Sequence, residues 1–149
     1  MRKLLLLFCL CSIFYGASAQ EYKVVTIVES IVPAGLGRSR IIDNKTDVNV
    51  NDFTTERVDG KESKQSDVKR SNVKVDTFLE TKLLNFFNLG GINFQNIASN
   101  DAVITSKINQ LAKEGWILSF VTSGVESNAG TQDGEGIFIT RLVFSRPNK

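Results

Sequence analysis

The stretch Leu111-Ala112-Lys113-Glu114-Gly115-Trp116-Ile117-Leu118 constrains the fold more than any other part of the chain. An apolar-periodic run closes on a lysine and a glutamate, a glycine follows, and a tryptophan leads into β-branched and aromatic residues. Glycine takes the left-handed conformation that stops a helix at little steric cost, and an apolar residue just after it folds back on the last turn. The spacing therefore predicts a helix ending before Gly115 and a strand opening at Trp116, both residues acting structurally. Upstream, Ile104, Ile108, Leu111 and Ala112 form one helical stripe, with Asn100 or Asp101 as its cap. Downstream, Trp116, Leu118 and Phe120 alternate with Ile117, Ser119 and Val121.

The remaining elements follow from the same two periodicities. Tyr22 to Val32 is β-branched and free of breakers, a strand with Val25, Ile27 and Ile31 on one face and Tyr22, Val24 and Val28 on the other. Pro33 ends it, and Ser39 to Ile42 is a short returning strand. From Asp43 to Asp76 the chain is polar and mixed in charge and reads as a mobile loop, with a hairpin closed at Asp59-Gly60 as the competing reading and a short strand at Val73 and Val75. Thr77 to Glu80 has the form of a capping box, so a helix is expected up to Gly90-Gly91, with a strand through Leu83 to Phe87 as the competing reading. Ile92 to Ser99 reads as an irregular connection, and Ile137 to Phe144 as the last strand. The sum is an α+β fold, a small mainly antiparallel sheet packed by one or two helices.

Residues 1–19 read as an export signal. Arg2 and Lys3 precede the apolar run Leu4 to Tyr15, and Ala17-Ser18-Ala19 has the small-x-small pattern of a cleavage site. That run is shorter than the about 20 residues a bilayer-spanning helix needs. Residues 20–149 are then one domain, expected to be soluble and periplasmic or secreted, with no membrane span after cleavage. Both cysteines, Cys9 and Cys11, leave with the signal, so the mature chain has no disulfide to form. Charge changes as well. The whole chain carries 18 basic and 16 acidic residues, and loss of Arg2 and Lys3 leaves the two equal. A balanced chain has no general attraction for nucleic acid, and none is expected as a partner.

Chemistry is bounded most firmly by what is missing. The chain has no histidine, and none of its cysteines outlasts cleavage, which excludes Ser-His-Asp and Cys-His nucleophile systems and the usual zinc, copper, haem and iron–sulfur sites. No cofactor, metal ligand set or catalytic residue is expected. Arg38 and Arg40, in the glycine-flanked turn Gly35 to Arg40, could face an anion or a partner. The turn ends in neither the lysine of a Walker loop nor the third glycine of a dinucleotide turn. Glu126, Asp133 and Glu135 lie in the glycine-rich loop Gly124 to Gly136, longer than a hairpin requires, which reads as a floppy hairpin tip or, functionally, as a lid, a partner-binding loop or a weak calcium site. Two of these carboxylates could also serve glycoside hydrolysis. Asp47 to Asp52 imitates half a calcium loop but lacks its glycine and its closing glutamate. The two Ser-x-x-Lys runs at Ser66 and Ser71 lack the partner motifs of acyl transferases.

Tyr22-Lys23-Val24-Val25, Leu111 to Leu118 with its Glu114-Gly115-Trp116 junction, and the closing Phe144-Ser145-Arg146-Pro147 together resemble a small bacterial family, the domain of unknown function 4177. The resemblance implies a β-α-β-β core in which Gly115 and Trp116 are structural, and it brings no activity. The family's unit is shorter, so Arg38 to Asn100 is an insert relative to it. The expectation that results is an exported binding or interaction module of the bacterial cell envelope, engaging an envelope protein or cell-surface component. A carboxylate-dependent glycan hydrolase and a calcium-binding module are the alternatives.

Overall fold

The computed structural model describes residues 19–31, 38–88, 90–126 and 136–148. Strand β1 (Gln20–Ser30) lies at the centre of a five-stranded antiparallel sheet. Strands β2 (Arg40–Asn44) and β5 (Phe78–Lys82) flank it on one side, and β9 (Ile137–Pro147) and β8 (Ile117–Val125) on the other, giving the order β5-β2-β1-β9-β8. The fold is α+β, with one long helix, α2 (Phe94–Lys113), laid on the sheet. All eleven residues of β1 pair with β9, from Gln20 opposite Pro147 to Ser30 opposite Ile137.

Register decides which residues see the helix. Val25 stands opposite Asp43 on β2 and Leu142 on β9, and Ile27 opposite Ile41. These positions, with Phe144, Leu83, Leu111 and Trp116, form the buried core, against which Val103, Ile104 and Ile108 of α2 pack. The opposite face carries Tyr22 and Val24 of β1 and Phe78 of β5, all exposed. The helix thus covers one side of the sheet only.

The helix is longer than its stripe predicts. Asn93, rather than Asn100 or Asp101, is the cap: its side chain accepts the Asn96 amide at 3.1 Å. Asn100 instead sits inside the helix, 1% exposed, and Ile92 to Ser99 is mostly helical rather than irregular. The C-terminal end is as the sequence predicts. Gly115 has φ +85°, its N–H reaches the Ala112 carbonyl at 3.0 Å, and the Trp116 N–H reaches that of Leu111 at 3.0 Å. These are the two bonds of a Schellman cap, and Leu111 and Trp116 share the core above it.

The helix expected from Thr77 to Gly90 is not formed. Phe78–Lys82 is β5, paired with β2 from Arg40 opposite Lys82 to Asn44 opposite Phe78. Without it the outer edge of β2 would leave a row of backbone donors and acceptors unpaired, so sheet pairing outweighs the local capping pattern. The Gly90-Gly91 pair marks a hairpin instead, β6 (Phe87–Asn88) against β7 (Gly91–Ile92). Within the insert, Asp59 and Gly60 adopt φ +52° and +67°, and the hairpin forms: β3 (Arg57–Val58) pairs with β4 (Glu62–Ser63) across the three-residue connection Asp59 to Lys61. Val73 ends a single helical turn, α1 (Arg70–Val73), where a strand was expected.

Candidate functional site

Two features of the described residues gather side chains in a way the local sequence does not require. The first is a polar cluster at the end of the sheet where β1 begins and β2 and β9 end. Asp43, on the helix-facing side of β2, is 3% exposed. Lys107 of α2 donates to its Oδ2 at 2.6 Å, and Lys23 of β1 lies 2.8 Å from its Oδ1. The Lys23 contact is an ion pair without hydrogen-bond alignment, since Oδ1 has no geometrically aligned donor. Burial raises the Asp43 pKa, but the two ammonium groups outweigh it and hold the carboxyl below its ordinary 3.8. A carboxylate held ionised between two lysines is a poor proton donor at neutral pH, and the lysines are committed to it.

Beside this cluster is an open cleft of about 520 Å³, bordered by Glu21, Lys45, Asp47, Trp116 and Arg146 among others. Arg146 places its guanidinium 4.1 Å from the centre of the Trp116 ring, pairs with Glu21 at 2.8 Å and donates to the Glu114 carbonyl at 3.4 Å. The cleft's charges are mixed, with Arg146 paired to Glu21 and Lys23 to Asp43. Nothing in it aligns a nucleophile with a base.

The second feature is β8 and the bare sheet face that it borders. All nine residues of β8 are exposed, on both faces of the strand. Ile117 and Phe120 share a face with Tyr22 and Val24, while Leu118, Val121 and Val125 point to the helix side without being covered by it. The strand read from the sequence as opening at Trp116 begins one residue later. Trp116 is buried at the helix cap, and its expected face-mates Leu118 and Phe120 lie exposed on opposite faces, because a bulge at Ser119 shifts the register. The Ser119 hydroxyl meets that of Ser145 at 2.6 Å.

The residues singled out in the sequence do not converge. Arg40 forms an ion pair with Glu80 on the exposed sheet face, Arg38 is exposed, and its carbonyl accepts from Arg40 Nε at 3.4 Å. Ser39 between them is buried: its hydroxyl accepts the Ser30 N–H at 3.0 Å and donates to Asn85 at 2.8 Å. Glu126 is exposed where β8 ends, its N–H bonded to the Ile137 carbonyl at 2.9 Å. Asp133 and Glu135 lie outside the described residues, as do Gly35 and Gly37. Among the described residues no three carboxylate side chains group as a metal site. Gly115 and Trp116 hold the structural places expected of them.

Lys23, Asp43 and Lys107 were not singled out, although a signal existed. Lys23 falls on the same alternation as Val25 and Ile27, Asp43 on that of Ile41, and Lys107 beside Ile104, Ile108 and Leu111. Charges on three apolar faces are costly unless they meet. What the fold defines, then, is a two-layer α+β scaffold with one sheet face and one long edge uncovered among the described residues. No protein family, curated protein or solved structure matches the chain.

Proposed function

We propose that the chain is an exported, non-catalytic binding or interaction module of the bacterial cell envelope, an insert-bearing relative of the domain of unknown function 4177. The observation that carries this reading is the bare sheet: large apolar side chains at Tyr22, Val24, Phe78, Ile117 and Phe120 share one uncovered face. Exposed apolar side chains gathered on one face are costly in water, and in a folded protein such a face marks a place where something binds. The chemistry points the same way. The buried Asp43 carboxylate is held by Lys23 and Lys107, and the cleft beside them offers no activated group. Among the described residues no helix is long and apolar enough to cross a membrane.

Site-specific photo-crosslinking in the producing cell tests this reading. A crosslinker at Val24 is expected to give a discrete adduct, and one at Asn109, on the exposed polar side of α2, is expected to give none. Equal or absent labelling at both positions refutes a sheet-face binding role. Mass spectrometry of the exported form tests the address, with Gln20 as the expected first residue.

A further inference from the structure

We propose that β8 is a self-association edge: a second copy of this chain pairs antiparallel along Ile117–Val125 and extends the five-stranded sheet into one of ten strands. The proposal rests on the interaction-module reading and names its partner. In the sheet order β8 is terminal, with β9 as its single neighbour among the described residues. Its outer edge therefore presents backbone donors and acceptors in the pattern a further strand requires.

Three observations single out a second copy. First, Ile117–Val125 contains no charged residue and no proline over nine residues. Soluble proteins normally place lysine, glutamate or proline on such an edge to prevent pairing. The other end of this sheet follows that practice: β5 is five residues long and carries Glu80 and Lys82. One edge is guarded by charge and shortness, and the other carries only the bulge at Ser119.

Second, symmetry favours a neutral strand. In a two-fold antiparallel pair, residues near the axis stand opposite, or two places from, their own copies. A charge there meets the same charge, so an edge that pairs with itself is best without any, whereas an edge for a different partner gains from charges matched to it. Third, the apolar side chains stand on both faces. Ile117 is 64% and Phe120 63% exposed on the bare face, and Leu118, Val121 and Val125 are 38%, 50% and 61% exposed on the helix side. A strand added in plane gives both sets cross-strand neighbours at once. A ligand lying on one face covers only one set.

Sedimentation of the purified protein tests this directly, with Val121→Lys and Val121→Glu as probes near the middle of the edge. The expected result is a wild-type dimer at micromolar concentration. Each variant should dissociate about tenfold or more readily with unchanged circular dichroism, and an equimolar mixture of the two should recover the dimer through opposite charges. A monomeric wild type overturns the proposal. So does a dimer indifferent to both substitutions, which would place the contact elsewhere. Crosslinking separates this result from the broader reading: a monomer whose Val24 still labels a different protein sinks the self-pairing and leaves the binding module standing.

Discussion

The guanidinium of Arg146 lies 4.1 Å from the centre of the Trp116 ring, and the same side chain reaches the Glu114 carbonyl and the Glu21 carboxylate. The C-terminal end of β9 is thereby fastened to the C-terminal cap of α2. A cation over indole and near the negative end of a helix is favourable on both counts. Trp116 is the chain's single tryptophan, so the protein's tryptophan emission reports the surroundings of this one ring. Arg146→Leu keeps part of the apolar stem and removes the charge, with an expected loss of about 0.5–1 kcal/mol of stability. Its intrinsic fluorescence spectrum should shift in the folded state. An unchanged spectrum would show that the stacking does not persist in solution.

Asp43 is the electrostatic centre of the core, and its removal should be costly. Asp43→Asn leaves Lys23 and Lys107 facing each other in a mostly buried site, at an expected cost of about 3 kcal/mol near neutral pH. The pH dependence follows from the sign of the shift. Because the folded carboxyl titrates below its ordinary value, its contribution is fully present above about pH 4 and is lost as pH falls through the folded pKa. Thermal unfolding from pH 7 to pH 2 should show the wild type losing stability more steeply than Asp43→Asn below pH 4. Parallel curves would refute the assignment.

Asn100 is a buried amide satisfied on both sides. Its Oδ1 accepts the Leu84 N–H at 2.8 Å, and its Nδ2 donates to the Leu84 carbonyl at 2.8 Å and to Glu29 at 3.1 Å. Asn100→Asp keeps the shape but sets a carboxylate against a carbonyl and a second carboxylate. The expected cost is about 3 kcal/mol at pH 7. These neighbours raise the new acid's folded pKa, so the cost should shrink as pH falls and the acid protonates. Denaturant titration at pH 7 and pH 5 measures it, and a cost independent of pH would count against the buried contact with Glu29.

Two glycines with positive φ should respond differently to alanine. At Gly115, φ is +85° and a Cβ meets nothing within 4 Å, so Gly115→Ala carries the backbone cost alone, about 1 kcal/mol. At Gly136, φ is +98° and a Cβ would overlap the Ile31 side chain at Cγ1, beside the 3.0 Å bond from the Ile31 N–H to the Gly136 carbonyl. Gly136→Ala should cost at least about 2 kcal/mol. Melting temperatures of the two variants give the comparison, and equal losses would mean that Ile31 moves aside.

Much of the fold was legible in the residues themselves. The helix stop at Gly115, the β1 strand and the closing strand each rest on local chemistry, and a left-handed residue or a β-branched run has few other uses. The same holds for the chemistries ruled out, because a missing histidine needs no coordinates to be missing. Of the candidate site residues, Gly115 and Trp116 were placed rightly for the same reason. Arg38, Arg40 and Glu126 were chosen for their loops, and loops do not reveal what a side chain will face.

The tertiary structure decided whatever depends on partners distant in sequence. Phe78–Lys82 is a strand because the edge of β2 needed pairing, although its own first residues spell a helix cap. Asn100 is buried in mid-helix because Leu84, sixteen residues away, offers a backbone pair that no other group meets. Lys23, Asp43 and Lys107 are three scattered charges in the sequence and one ion-paired cluster in the fold. The exposure of β8 is of the same kind: Ile117–Val125 has the apolar content of a buried strand, and only its place at the end of the sheet leaves it bare. Local conformation follows from steric and hydrogen-bonding preferences that each residue carries with it. Burial and pairing follow from which elements meet, and that is settled only when the whole chain closes on its core.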